Sequence, residues 1–167
     1  GSGAIAIVAV DAPVSHVTVR DNRVDHTRDA GIRLASTSAA LSQIEVGDNV
    51  VTASCTAQTL CGGIFLETAT ATSAITQVTI AHNTVAASRA AGIRLEGPAA
   101  DVHLIANATR DGNAGEPLVV STRHGPVDYQ ASDAIAGERV VVRSASPPHV
   151  SIVIPAAKTD RARNDVS

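Results

Sequence analysis

The sequence predicts an all-β fold, a parallel β-helix of about four to five rungs followed by a C-terminal β cap or extension. A Gly-Ile-x-Leu template occurs three times, at residues 31–34, 63–66 and 92–95, and each copy precedes a second alternating run. Apolar and polar residues alternate in these runs with the period of a strand, and helical periodicity is nearly absent. Short strands with one apolar face bury that face when repeated units stack in register.

The composition indicates a thin, repetitive interior. Hydrophobic residues make up 44% of the 167 residues, but aromatic residues only 1%, namely Phe65 and Tyr129. Ala, Val, Ile and Leu must therefore fill the core. A charged fraction of 17% and a net charge of −3 exclude an acidic disordered segment and predict no general attraction to nucleic acid or anionic membranes. No apolar run approaches the ~20 residues that span a bilayer.

Each repeat divides into three short strands. The Gly-Ile-x-Leu segment is the first strand, and its third position points outward. The second strand is the alternating run, with copies at residues 14–19, 41–46, 75–80 and 102–104. An Asn follows each second strand, and two residues later a β-branched side chain lies in the third strand. These side chains are Val24, Val51, Val85 and Thr109.

The four Asn residues predict a structural ladder. They are Asn22, Asn49, Asn83 and Asn107, at intervals of 27, 34 and 24 residues. A sharp turn between strands accepts left-handed backbone conformations, which Asn tolerates. Rungs stacked ~4.8 Å apart place each amide within reach of the next. We expect this structural role rather than a ligand-binding row, and the glycosylation sequon at Asn107 is discounted because the ladder would bury its amide.

The longest interval contains Cys55 and Cys61, so this segment is interpreted as an insertion. Six positions apart, the two residues could close a small loop as a disulfide, which would imply an oxidising compartment. The alternative is two unpaired thiols. A metal site is disfavoured because no His or carboxylate stands at ligand spacing beside them.

The predicted organisation has three parts. Residues 1–122 form the rungs, residues 123–155 a cap or irregular β segment with strand-like runs at 140–142 and 150–154, and residues 156–167 a flexible tail. The open end of a β-helix must be blocked against strand addition, which is the role expected of the cap. The first residues already fall in a strand-like pattern, which suggests a segment of a longer protein.

The Gly-Ile-x-Leu strands and the Asn-x-Val/Thr turns resemble those of the right-handed parallel β-helix (pectate-lyase-like) superfamily, over roughly residues 4–120. The resemblance implies a right-handed coil, with the Gly-Ile-x-Leu segment as the first strand of each rung. It also implies that the outward face of the first strands carries a carbohydrate. These motifs are specific for fold and not for function, since the fold hosts many activities.

The first-strand face concentrates positive charge in a protein that is acidic overall. Arg33, Phe65 and Arg94 should form one outward column, and Arg28 and Arg89 share a turn column beside it. Arg33 and Arg94 would lie two rungs apart, on the order of 10 Å, with Phe65 between them to meet a sugar face. Arg forks bind carboxylates, so this face is a candidate groove for an anionic polysaccharide. The alternative is a solvated face on which the arginines pair with Glu67 and Glu96.

Catalytic signatures are weak. The only outward carboxylates in the first-strand columns are Glu67 and Glu96, which would lie about 5 Å apart in adjacent rungs, nearer to retaining than to inverting glycosidase geometry. The clustered acids that the resemblance implies for polygalacturonase-like hydrolases and for calcium-dependent lyases are missing. Residues 111–116 could arrange oxygen ligands for Ca²⁺, but Asp-Gly and Gly-Asn are also ordinary turn sequences. No other cofactor or metal is expected.

The sequence therefore predicts a segment of a secreted or cell-surface β-helix protein that binds an acidic polysaccharide and whose full-length form could degrade it. A structural shaft, as in an adhesin or a phage tailspike, is the alternative without catalysis. A third hypothesis is a glycoside hydrolase or polysaccharide lyase that is complete within this segment and uses Glu67 or Glu96 as its catalytic residue. The oligomeric state is not predicted.

Overall fold

The computed structural model describes residues 4–109, 113–132 and 141–143, and it is a parallel β-solenoid of about five turns. Every strand pairing recorded in the three sheets is parallel, as the stacking of repeated rungs requires. The described residues contain no helix. The predicted all-β coil is confirmed.

Sheet A contains the first strand of each rung. It runs in the order β1-β4-β7-β10-β13-β15. Its strands are β1 (Ile5–Ala9), β4 (Ile32–Ser36), β7 (Gly62–Thr68), β10 (Ala91–Glu96), β13 (Leu118–Ser121) and β15 (Val141–Arg143). The three Gly-Ile-x-Leu segments fall at β4, β7 and β10, as predicted.

Sheets B and C contain the second and third strands. Sheet B is formed by β2 (Val14–Arg20), β5 (Leu41–Gly47), β8 (Ile75–Ala81), β11 (Ala99–Ile105) and β14 (Val127–Ser132). Sheet C is formed by β3 (Arg23–Asp25), β6 (Val50–Thr52), β9 (Thr84–Ala86) and β12 (Ala108–Thr109). Chain order and sheet order agree, so each rung stacks on the rung before it.

The register places identical positions of the repeat over one another. Ile64 lies between Ile32 and Ile93 in sheet A, and all three are fully buried. The other inward residues of the three sheets join them in one continuous, largely aliphatic cluster. The alternation seen in the sequence thus separates the core from the outer faces.

The glycine of the first-strand motif permits a close approach between sheets A and C. A Cβ at Gly63 would lie 2.3 Å from Val85 Cγ1, and one at Gly31 would lie 2.3 Å from Val51 Cγ1. The corner therefore has no room for a side chain where the first strand passes the third strand of the rung. The recurrence of Gly before Ile has this steric cause.

The Asn ladder is confirmed. Asn49 Oδ1 accepts the backbone and side-chain N–H groups of Asn22, and Asn83 Oδ1 and Asn107 Oδ1 do the same for the preceding Asn. Asn107 is 1% exposed, and its amide donates to Ile80 O. The sequon amide is therefore buried, as expected.

One detail of the turn differs from the expectation. The left-handed residue is the one before each Asn, and these residues are Asp21, Asp48, His82 and Ala106. The Asn itself turns its amide into the coil, where it bonds to neighbouring rungs. The residue before it does not belong to the ladder, and its backbone adopts the left-handed conformation that the corner requires.

The coil continues past the predicted boundary at residue 122. Strand β14 pairs in parallel with β11, and β15 pairs in parallel with β13. Strand pairing thus extends into the segment predicted as a cap. The predicted run at residues 150–154 and the tail at 156–167 lie outside the described residues, as does the first residue of the run at 140–142.

Candidate functional site

The first-strand face, which is the outward surface of sheet A, carries two side-chain columns in register. Phe65 pairs with Arg33 on one side and Arg94 on the other, so the two arginines lie two rungs apart. In the neighbouring column Glu67 pairs in register with Glu96. The structure brings together these five predicted site residues on one face.

Both arginines of the first column are engaged by carboxylates. Arg33 Nε donates to Glu67 Oε1 at 2.6 Å, across one rung. Arg94 bonds to Glu96 within its own strand, with Nη2 and Nε at 3.1 and 3.3 Å from Oε2. The side chains of Arg94 and Glu96 are only 12% and 9% exposed. The pairing that the sequence offered as an alternative to ligand binding is therefore present.

Phe65 does not present its ring to solvent. It is 7% exposed and belongs to a small cluster with Cys55, Cys61, Ala30 and Ala90. Arg94 lies against the ring, with its Cζ 5.7 Å from the centroid. In this structure the ring of Phe65 is not open to a sugar face, because the inserted loop packs over the outward side chain.

That loop is closed by the predicted disulfide between Cys55 and Cys61. Its backbone is anchored to the turn of the preceding rung: Cys55 N donates to Asp29 O and Ala57 N to Arg28 O, both at 2.9 Å. Gln58 Nε2 adds a bond to Asp29 Oδ1. The insertion is therefore a fixed part of the face.

The larger depression on this face, which we call the Arg89 depression, has a volume of about 590 Å³. It lies on the C-terminal side of the loop, over the start of β10. Its lining residues with charged or large apolar side chains are Leu60, Arg89, Arg94, Glu116 and Val119. Arg89 is exposed, and within residues 4–109 and 113–131 its guanidinium has no hydrogen-bonding or ion-pair partner.

The smaller depression, which we call the Arg33 depression, has a volume of about 140 Å³ and lies on the other side of the loop. Arg33, Phe65 and Glu67 contribute to its lining, as does Leu60. Arg28 lines neither depression, although it is exposed. The four arginines thus do not form one continuous groove.

The two candidate catalytic carboxylates are both held by arginines. Glu67 faces Arg33, and Glu96 faces Arg94 through one oxygen and His124 Nε2 through the other, at 3.6 Å. A glycosidase acid must hold a proton beside the leaving oxygen. Neither carboxylate lines the larger depression, so the geometry lends the hydrolase reading no support.

In the described part of the chain, no three His, Cys, Asp or Glu side chains converge on a common point that could hold a metal ion. The candidate calcium segment 111–116 is only partly described, and its Asn113 accepts a hydrogen bond from Ser88 N. No helix of the described residues could cross a bilayer.

Two residues of this face, Leu60 and His124, were not singled out from the sequence, and Glu116 was considered only within the candidate calcium segment. Leu60 is 60% exposed at the tip of the loop, Glu116 lines the Arg89 depression and His124 faces Glu96. An apolar residue in a short polar cysteine loop is a usable signal for Leu60. Glu116 and His124 lie in turns between rungs, and the repeat pattern does not extend to them.

Comparison of the chain with protein-family models, with curated proteins and with solved structures finds no match.

Proposed function

We propose that this β-solenoid binds an acidic carbohydrate in the Arg89 depression, as a member of the pectate-lyase-like superfamily from a secreted or cell-surface protein. The proposal depends mainly on one observation: Arg89 lines this depression together with Arg94, and its guanidinium has no partner among the residues that the structure describes. The disulfide is compatible with an extracellular location.

The charge balance of the depression supports an anionic ligand. The charge of Arg94 is balanced by Glu96, whereas no carboxylate of the described residues pairs with Arg89. A guanidinium fork recognises a carboxylate through two parallel hydrogen bonds. A uronate carboxylate at Arg89 thus satisfies a cation that the described residues leave exposed.

The shape of the depression supports a sugar-sized ligand. Its volume of about 590 Å³ falls in the range of small-molecule sites, roughly 300–1,000 Å³. Leu60, Val119 and three alanines give it apolar walls, which suit the C–H faces of a pyranose ring. Glu116 offers an acceptor for sugar hydroxyl groups.

The experiment is a calorimetric titration with a uronate trimer and with a neutral trimer of the same linkage. We expect the uronate alone to bind, and Arg89→Gln to weaken its binding about tenfold, because a charge-assisted pair is lost. Arg28→Gln is the matched control: Arg28 is also exposed, without a side-chain partner among the described residues, but lies outside the depression. Equal effects of the two substitutions, or no uronate binding, would overturn the proposal.

A second candidate function is a rigid spacer in an adhesin or a tailspike-like shaft. It is favoured by the Asn ladder from Asn22 to Asn107, which is buried from Asn49 onward, and by the ion pairs that neutralise Arg33 and Arg94. Absence of glycan binding together with trimeric assembly in size-exclusion chromatography would support the spacer instead.

A further inference from the structure

We infer that the Cys55–Cys61 loop is a wall that ends the carbohydrate site, so that the Arg89 depression takes the end of an acidic glycan rather than its interior. This inference rests on the proposed function and concerns the length of ligand that the site accepts.

The loop lies across the direction in which a long glycan would run. The Arg33–Phe65–Arg94 column follows the axis of the coil, and the loop covers its middle member. Leu60 and Cys61 line both depressions, so the same residues separate them. A chain lying along the column would have to pass through the position of Leu60.

The wall is held in place by covalent and hydrogen bonds. The disulfide joins the two ends of the loop, and hydrogen bonds from the loop backbone to the Arg28 and Asp29 carbonyl groups attach it to the preceding rung. Both sulfur-bearing residues are at most 2% exposed and pack against Phe65. Opening the column would expose that ring and separate the cluster around it, which opposes spontaneous opening.

The two sides of the wall differ in what they can hold. The Arg89 depression is about four times larger than the Arg33 depression, at about 590 against 140 Å³. The larger one falls within the size range of small-molecule sites, roughly 300–1,000 Å³. The smaller one lies below that size range. Binding energy should therefore stop increasing once a ligand fills the larger depression.

The experiment measures dissociation constants of uronate oligomers from dimer to hexamer. In the unmodified protein we expect the affinity to reach its maximum at the dimer or trimer, and Arg33→Gln to change the affinity for every length by less than about twofold. Arg89→Gln should weaken all lengths alike, about tenfold.

Removing the wall should make the affinity for uronate oligomers increase with their length beyond the trimer. In Leu60→Ala, and more strongly in the Cys55→Ser/Cys61→Ser double variant, the hexamer should bind about fivefold more tightly than the trimer, because it reaches Phe65 and Arg33. Adding Arg33→Gln in that background should abolish the gain.

Ala57→Ser, in the same loop but in neither depression, is the control. Because Leu60 is exposed, Leu60→Ala should fold normally. It therefore still provides the test if the cysteine variant fails to fold.

The outcomes separate the two proposals. If no uronate of any length binds, the proposed function fails. If uronates bind but affinity keeps rising to the hexamer in the unmodified protein, or Leu60→Ala leaves the length profile unchanged, the proposed function stands and the wall is refuted.

Discussion

Tyr129 places a hydroxyl group inside a core that is otherwise aliphatic. The side chain stacks on Val102 in sheet B, is 1% exposed, and its hydroxyl has no hydrogen-bond partner among the described residues. Burial raises the pKa of Tyr129, because the charged phenolate would lose its hydration. The folded state therefore favours the neutral phenol more than the unfolded state does.

This residue predicts a loss of stability at alkaline pH. Below the unfolded tyrosine pKa of about 10, both states are neutral and the group adds no pH dependence. Above it the unfolded chain releases the proton first, so the free energy of unfolding should fall by up to about 1.4 kcal/mol per pH unit until the folded pKa is reached. Tyr129→Phe should remove this slope and leave stability near neutral pH equal or higher, because no hydrogen bond to a described residue is lost.

The measurement is straightforward because Tyr129 is the only tyrosine of the chain. Tyrosinate absorbance of the native protein follows its ionisation directly, and urea unfolding at a series of pH values gives the slope. Native ionisation with an unshifted midpoint, or an identical slope in Tyr129→Phe, would contradict the expectation.

At the scale of the element, the turn between sheets B and C depends on the Asn ladder. Asn83 is fully buried; its amide donates to Val46 O and to Asn107 Oδ1, and its Oδ1 accepts two N–H groups of Asn49. Removing the amide leaves buried backbone and side-chain groups without partners. Each such group destabilises the folded state by about 1–3 kcal/mol.

We therefore expect Asn83→Ala to lower the free energy of unfolding by about 3 kcal/mol. Asn22→Ala is the matched control, because Asn22 is only partly buried and accepts no ladder bond from the described residues; its loss should be about 1 kcal/mol. Urea denaturation of the three proteins gives the comparison. Equal losses at the two positions would show that the ladder does not stabilise the interior rungs.

The inserted loop is the other informative element. It lengthens one rung without disturbing the register of β7 with β4 and β10. A solenoid tolerates such an insertion because each rung contacts only its neighbours and the extra residues leave through a turn. The loop then determines the surface of three rungs, since it covers Phe65 and borders both depressions.

At the scale of the molecule, the rungs share one core, and its stability should be distributed along the axis. Ile64 in the middle of sheet A is fully buried between Ile32 and Ile93, whereas Ile7 in β1 is partly buried. A truncation in the middle removes contacts to two neighbouring rungs. One in β1, the first strand in the order of sheet A, removes fewer.

Ile64→Ala should accordingly destabilise the protein by about 4 kcal/mol, and Ile7→Ala by about 1–2 kcal/mol. Thermal or urea unfolding monitored by far-ultraviolet circular dichroism tests this ordering. A larger loss for Ile7→Ala would show that the β1 end, rather than the middle, limits the cooperativity of the coil.

The sequence by itself determined the coil and its repeating columns. The Gly-Ile-x-Leu strands and the Asn turns were predicted, because period-2 alternation and a fixed repeat directly encode which side chains face inward and which stack. The disulfide was predicted separately, from the six-residue spacing of its cysteines. The register of Arg33, Phe65 and Arg94 follows from the same repeat.

The tertiary structure alone decided what the outward columns can do. Whether Phe65 is open to a ligand depends on the path of the inserted loop. Whether an arginine is paired depends on which carboxylate lies within hydrogen-bond reach, as Glu67 does for Arg33. Neither property is periodic, because loops and ion pairs are set by contacts between residues far apart in the chain. The repeat therefore predicts the scaffold, and the packing of its one cysteine-closed insertion selects the candidate site.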